Sequence, residues 1–302
     1  MYRFSLRYND DSFDGKIRVA FGWYGCNMRT LKRYLGGGDK DIQRRLREKI
    51  DQLDLSTLQK MLSIGSEETY HTSHAIIQTS CFDQPKPGDE RYLQSDNVER
   101  SISCLFAWTK LYESYGESLL RETSRLSRLY QNVPALASAG GNLWELRCHT
   151  RIWSGGRFTL FPMTPKKKYL HIDESKPTTI RIEKMTPVVH DPRKSTCEPG
   201  KYCIPIAKTN PTFDACFHSE VLQVAVQITV SSEHSINPEG FDILEKVLPT
   251  NNARQFIFVV PKRNPQSFKC PLPTDDVQKM FKFFVLPLEH DDSRQRPSSA
   301  DI

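Results

Sequence analysis

Asp214 and Gln227 are the polar side chains around which chemistry could be built. Asp214 closes Asn210-Pro-Thr-Phe-Asp214, and Gln227 interrupts Gln223-Val-Ala-Val-Gln-Ile-Thr-Val-Ser231. With a period of two, Val224, Val226, Ile228 and Val230 share one face, and Gln223, Ala225, Gln227 and Thr229 share the other. The pattern predicts two short strands. Paired as neighbours, they would bring Asp214 and Gln227 together at one sheet edge. A carboxylate beside an amide on adjacent strands is the minimal frame of a hydrolytic metal site. The plainer alternative is an Asp in a turn and a Gln on a solvated strand face. Upstream, Glu145 and His149 lie four apart in Asn142-Leu-Trp-Glu-Leu-Arg-Cys-His-Thr-Arg-Ile-Trp153. That spacing puts both on one face of a short helix, as a site pair or as an exposed pair.

These residues need elements to position them. The Trp-flanked helix ends at Ser154-Gly-Gly156, and Arg157–Phe161 follows as a strand. Residues 164–209 read as an insertion, with strand-like pieces at Thr179–Glu183 and Tyr202–Ile206 in a polar, Pro-rich setting. The run Lys166–Lys168 reads as a solvated loop next to the site. Beyond Gln227, a helix is expected from about Pro238 to Leu248. An apolar strand follows at Gln255–Val260, and Phe281–Leu288 is one more strand or an edge piece. The composition of 290–302 is that of a disordered tail.

The first 133 residues read as mostly helical. A strand is expected over Lys16–Phe21 and another over His74–Cys81, with a loop at Pro85, Pro87 and Gly88. A helix from Asp39 to about Ser63 carries Ile42, Leu46, Ile50, Leu53 and Leu58 on one stripe. A second helical stretch spans about Asp96 to Tyr130, with a break near Tyr115-Gly116. Pro134 and Gly140-Gly141 mark the boundary to a second domain over 140–289. The triplet Gly36–Gly38 is no phosphate cradle. Gly-x4-Gly-Lys-Ser/Thr occurs nowhere, which disfavours nucleotide hydrolysis.

The chain has 302 residues and a formal charge of +6, which permits contact with nucleic acid without requiring it. No apolar stretch is long enough to span a membrane. The start, Met1-Tyr-Arg-Phe, has no signal-peptide pattern, and it reads as a chain that begins inside a longer ancestral protein. Eight cysteines without a Cys-x-x-Cys pair read as reduced, buried thiols of an intracellular protein. Cys197-x5-Cys203 with His190 nearby is a weak zinc pattern.

The order from Gly141 onward is helix, strand, insertion, strand with Asp214, strand with Gln227, helix, strand. It resembles the restriction-endonuclease-like, or PD-(D/E)xK, αβββαβ core. That core holds its metal with an Asp on the second strand and a Glu-x-Lys on the third. More closely, several motifs are similar to the C-terminal module of Crinkler and retrotransposon hot-spot-type effectors. They are Trp144-Glu145-x3-His149 with Gly155-Gly156, Phe213-Asp214-Ala215, Gln227-Ile-Thr-Val-Ser231, His234-x-Ile, Gly240 and Phe258-Val-Val-Pro261. The segment with Tyr24-Gly-Cys-Asn-Met-Arg29, the Asp39 helix and Ser73-His74 is similar to the part of those proteins that follows their NTPase core.

The resemblance implies magnesium-dependent cleavage of DNA. Asp214 and Glu145 would be metal ligands, Gln227 would position water or a phosphate oxygen, and His149 and His234 would support them. It also implies a secreted protein acting in a host nucleus, with host nuclear proteins as further partners. The chain departs from the pattern at Ala225, where the second carboxylate would sit, and at Gln227, where a lysine is commonest. Glu220 and Glu233 are candidates for a migrated carboxylate. The resemblance therefore also accommodates an inactive binding remnant, or a C-terminal fragment of an NTPase-linked protein with no activity of its own.

Overall fold

The computed structural model describes residues 28–62, 76–81, 98–102, 104–131, 137–190, 196–205, 212–248, 254–262 and 265–289, together with positions 17, 20, 24 and 192. The chain is mixed α/β. It divides into one unit of Met1–Trp144 with Ser293–Ile302, and a second of Glu145–Asp292. Among the described residues no helix is long and apolar enough to cross a membrane. The motifs at 25–27 and 73–75, the loop at 85–88 and the tail at 290–302 lie outside the described residues.

The first unit holds α1 (Met28–Leu35), α2 (Asp39–Asp51), α3 (Leu55–Leu62), β1 (Ile77–Cys81), β2 (Val98–Ile102), α4 (Leu105–Tyr115) and α5 (Glu117–Gln131). Ile42, Leu46 and Ile50 form the buried stripe of α2. The single helix expected to about Ser63 is broken at 52–54. There the Asp54 carboxylate accepts from Thr57 N at 2.7 Å and from Thr57 Oγ1 at 3.1 Å, which caps a new helix. The stretch expected to be helical from Asp96 opens instead with β2, paired antiparallel to β1. Helix begins only after Cys104, whose Sγ accepts from Ala107 N at 3.4 Å. The break falls at Gly116, with φ of 51°. Ile17 and Ala20, from the strand expected over 16–21, are both helical. Ala20 and Tyr24 are buried and four apart, a helical spacing.

Helix α6 (Ala137–Trp153) passes through Gly140-Gly141, the expected boundary, and the division between units falls inside it. Glycine in a helix interior costs only about 1 kcal/mol relative to alanine. That is too little to end a helix whose later turns bury Leu143, Trp144, Cys148 and Ile152.

The second unit is built on a mixed sheet. Its strands are β3 (Gly156–Lys166), β4 (Tyr169–Ile172), β5 (Thr178–Ile182), β6 (Thr186–His190), β7 (Lys201–Pro205), β8 (Ala215–His218), β9 (Gln223–Ile228), β10 (Arg254–Pro261), β11 (Lys269–Pro271) and β12 (Phe281–Leu288). They lie in the order β11-β4-β3-β12-β10-β9-β8-β7-β6, with β5 paired to β3. Strands β7, β8 and β9 form an antiparallel meander. From β9 the chain crosses through α7 (Glu239–Val247) to β10, which pairs parallel to β9. A short helix, α8 (Asp275–Met280), leads into β12, parallel to β10. Residues 164–209 hold β4 to β7, all of which bond into this sheet. The Phe281–Leu288 segment is no edge piece, because β12 sits between β10 and β3.

The core is aromatic. Phe213, Phe241, Phe256, Phe258, Phe268, Phe281 and Phe283 are all buried, and the Phe256 ring lies 5.0 Å from Phe258 and 5.4 Å from Phe241. Offset and tilted ring pairs of this kind add to area burial. Every residue of β9 is buried, because the strand has neighbours on both sides and cover on both faces. Gln223 and Gln227, on a face expected to be solvated, are therefore only 1% and 7% exposed. The Lys166–Lys168 run is an exposed hairpin turn joining β3 to β4. It is not next to Asp214. Strand β4 lies five positions from β8, the strand that Asp214 leads into, roughly 24 Å along the sheet at ~4.8 Å per strand.

Candidate functional site

The site begins with how the chain enters β8. Thr212 and Phe213 are buried, and Thr212 Oγ1 donates to Asn237 O at 2.7 Å, just ahead of α7. Asp214 N donates to Val226 O at 2.8 Å, the residue already paired with Ala215, so the regular β8–β9 register ends just before Asp214. Its side chain continues the ladder in place of backbone. Asp214 Oδ2 accepts from Ile228 N at 2.6 Å and from Gln227 Nε2 at 2.8 Å. Both bonds end on Oδ2, which leaves Oδ1 for another ligand. The two residues expected to meet at a sheet edge do meet, but inside the sheet, because β8 and β9 each have a bonded neighbour on both sides. The Gln227 amide is fixed by the pairing, since a carboxylate requires the Nε2 side to face it. Its Oε1 is buried and has no hydrogen-bond partner.

Helix α6 brings the second half. Arg147 anchors it by donating to Glu289 O. One turn separates Glu145 from His149, and His149 Nε2 lies 3.5 Å from Glu145 Oε1. The Glu145 side chain is 47% exposed while that of His149 is 3% exposed. The other imidazole nitrogen, Nδ1, is 2.8 Å from the hydroxyl of Tyr202 on β7. Tyr202 is fully buried, stacked on Phe217 and set edge-on to Trp153 and His149.

The electrostatics join the two halves. The Asp214 carboxyl is pushed up to about 7, first by burial and then by the negative charge of Glu145. Against this act the Ile228 N–H, His149 and the Gln227 amide. A carboxylate from a remote part of the chain thus opposes the ionisation of Asp214, a repulsion that a cation relieves. Tyr202 is held well above the ordinary phenol range, mainly by burial, with Cys148, Asp214, Cys216 and Glu145 adding to it. A phenol so placed keeps its proton.

The other expected participants are engaged with other partners. The His234 ring packs edge-on against Phe258 at 6.4 Å, and burial holds its imidazole below the usual range. Its backbone N–H donates to Lys269 O at 3.3 Å. Glu233 is paired to Lys269 Nζ at 2.9 Å, and Glu220 sits at the β8–β9 turn, the end of the hairpin opposite Asp214. Neither stands in for the carboxylate missing at Ala225, which is wholly buried and faces Cys216 across the ladder. Cys197, Cys203 and Cys216 form one buried cluster. Hydrogen bonds from Cys197 and Cys203, and then burial, hold the Cys216 thiol well above its ordinary range. Among the described residues no group of three or more His, Cys, Asp or Glu is arranged to hold a metal ion, so the zinc pattern of Cys197, Cys203 and His190 gains no support.

Magnesium takes hard oxygen donors, commonly one or two carboxylates with waters completing the shell. Asp214, Glu145 and Gln227 carry oxygen donors of that kind, and the Glu145 charge opposes ionisation of Asp214. The donor types suit such an ion, although among the described residues no group of three or more His, Cys, Asp or Glu is arranged to hold one.

Sequence reasoning missed Tyr202, a lone aromatic in a strand with no motif around it, and Thr212, whose role comes from its contact with α7. Comparison of the chain with protein-family models, with curated proteins and with solved structures finds no match in any of the three.

Proposed function

We propose that the second unit is a metal-dependent phosphodiesterase acting on DNA, a restriction-endonuclease-like module of the Crinkler type working in a host nucleus. The observation that carries this reading is the electrostatic coupling of Asp214 to Glu145, with Gln227 bonded to the first and His149 beside the second. The element order supports it. Helix α6, the meander β7-β8-β9, α7 and the parallel β10 follow one another as αβββαβ once β3 to β6 are set aside as an insertion, with β7 rather than the expected Arg157–Phe161 strand as the first of the three, Asp214 ahead of the second and Ala225-x-Gln227 on the third.

In this reading Asp214 and Glu145 would hold a magnesium ion, which would supply charge stabilisation at phosphorus and activate water at neutral pH. Gln227 keeps the Asp214 carboxylate oriented and carries no charge of its own. His149 holds Glu145 toward Asp214. The exposure of Glu145 gives the phosphodiester a way in.

Plasmid nicking in magnesium tests the reading. Wild type is expected to convert supercoiled to nicked DNA, and Asp214→Ala and Glu145→Ala are expected to fall to background. Equal cleavage by all three would overturn it. A second reading, an inactive nucleic-acid-binding remnant, is favoured by the burial of Ala225, where a carboxylate has no room. It predicts no cleavage by wild type, together with DNA binding that weakens steeply with salt.

A further inference from the structure

We infer that Tyr202 is a positioning residue for this site: its hydroxyl donates to His149 Nδ1, fixes the imidazole as the Nε2–H tautomer, and so turns that N–H onto Glu145. The inference rests on reading Glu145 as a site residue. It starts from the geometry of a buried imidazole with one polar neighbour on each nitrogen, Tyr202 Oη at 2.8 Å from Nδ1 and Glu145 Oε1 at 3.5 Å from Nε2.

A neutral imidazole carries one N–H and one lone pair, so its partners decide between two arrangements. If Nδ1 held the proton, the phenol would have to accept it, and its own buried O–H would have no acceptor among the described residues. If Nε2 holds the proton, its N–H faces Glu145 Oε1 at 3.5 Å as an electrostatic contact, and Nδ1 accepts from the phenol. Tyr202 can supply that donation because it is fully buried and retains its hydroxyl proton. Phe217, Trp153 and His149 pack around its ring, so the donor does not wander.

Glu145 has no comparable enclosure. Its side chain is 47% exposed and turns about several rotatable bonds. The chain Tyr202 to His149 to Glu145 converts the rigidity of a buried phenol into the aim of an exposed carboxylate. Partners one step removed from a ligand commonly change metal affinity by about 10–100-fold when removed. Tyr202 acts through His149, so the lower end, ~10-fold, is the expected effect.

The test is nitrogen-15 NMR of histidine-labelled protein at pH 8, with Mn²⁺ titrated as the probe cation. Wild type should show His149 with Nε2 protonated and Nδ1 accepting. Glu145→Gln should retain that tautomer. Tyr202→Phe, which keeps the ring packing, should show mixed tautomers and bind Mn²⁺ ~10-fold more weakly. An Nδ1–H tautomer in wild type would overturn the inference without any variant. A Tyr202→Phe protein with the wild-type tautomer would overturn it equally. If wild type failed to bind Mn²⁺, the metal reading would fall, and the tautomer measurement would still decide the role of Tyr202.

Discussion

Asp214→Asn is expected to melt about 8–16 °C above wild type at pH 8, and to lose that advantage by pH 4. The Asp214 carboxyl is raised from an ordinary 3.8 to about 7 in the fold, by burial first and by Glu145 second. Between those two values the folded chain binds a proton that the unfolded chain releases. Stability therefore falls as pH rises through that window and stays low above 7. At about 1.4 kcal/mol per unit, the ionised carboxylate costs up to ~4 kcal/mol at pH 8. For a unit of this size each kcal/mol corresponds to about 2–4 °C. Asn is isosteric, and its Oδ1 can accept from both Ile228 N and Gln227 Nε2, so the substitution removes the charge and keeps the ladder. Melting curves from pH 4 to 8 check this. A variant that melts below wild type at pH 8 would show that the carboxylate is satisfied as an anion. Magnesium should raise the wild-type midpoint at pH 8 and leave the variant unchanged. A residue that destabilises the unit holding it is retained for some reason other than folding.

Gly240→Ala is expected to destabilise the second unit at or beyond the upper end of the usual ~1–3 kcal/mol for overpacking, and to disturb the site as well. A Cβ at 240 would stand 1.9 Å from Thr212 Oγ1 and 2.2 Å from Thr212 Cβ. No rotamer change relieves a clash with a Cβ, so α7 or the backbone at 212 must shift. Thr212 lies two residues before Asp214 and holds Asn237 O at 2.7 Å, so a shift there moves the carboxylate. Gly141→Ala is the control. It lies inside α6, where an added methyl would meet nothing within 4 Å, and it should be neutral or stabilising by up to ~1 kcal/mol. Thermal melts of the two variants give the comparison. Equal midpoints would mean that α7 does not press on Thr212.

The period-two run around Gln227 made the β9 strand and its meeting with Asp214 readable from sequence. The helical spacing of Glu145 and His149 was readable for the same reason. Which residues lie under the sheet was not, because burial of both faces of β9 depends on α7 and on strands far away in sequence. The Asp54 cap and the helix onset after Cys104 were missed where local side-chain bonds decide against a continuing apolar stripe. The centrality of β12 was hidden because an eight-residue apolar run reads the same in the middle of a sheet as at its edge.

That centrality bears on how the second unit is made. Strand β12 is the last strand of the sheet to be synthesised, yet it bridges β10 and β3. Until it emerges from the ribosome, β3, β4, β5 and β11 share no strand ladder with β6 through β10 among the described residues, and the short bridge from Glu233 to Lys269 is the pairing that spans the two groups. The apolar flank of β10 is left as an open template meanwhile. Closing β12 onto β3 joins positions such as Val285 and Phe161, a long-range pairing of the kind that slows folding. Nascent chains stopped short of Phe281 should aggregate or recruit chaperones, while chains carried past Leu288 should gain protease resistance in a single late step.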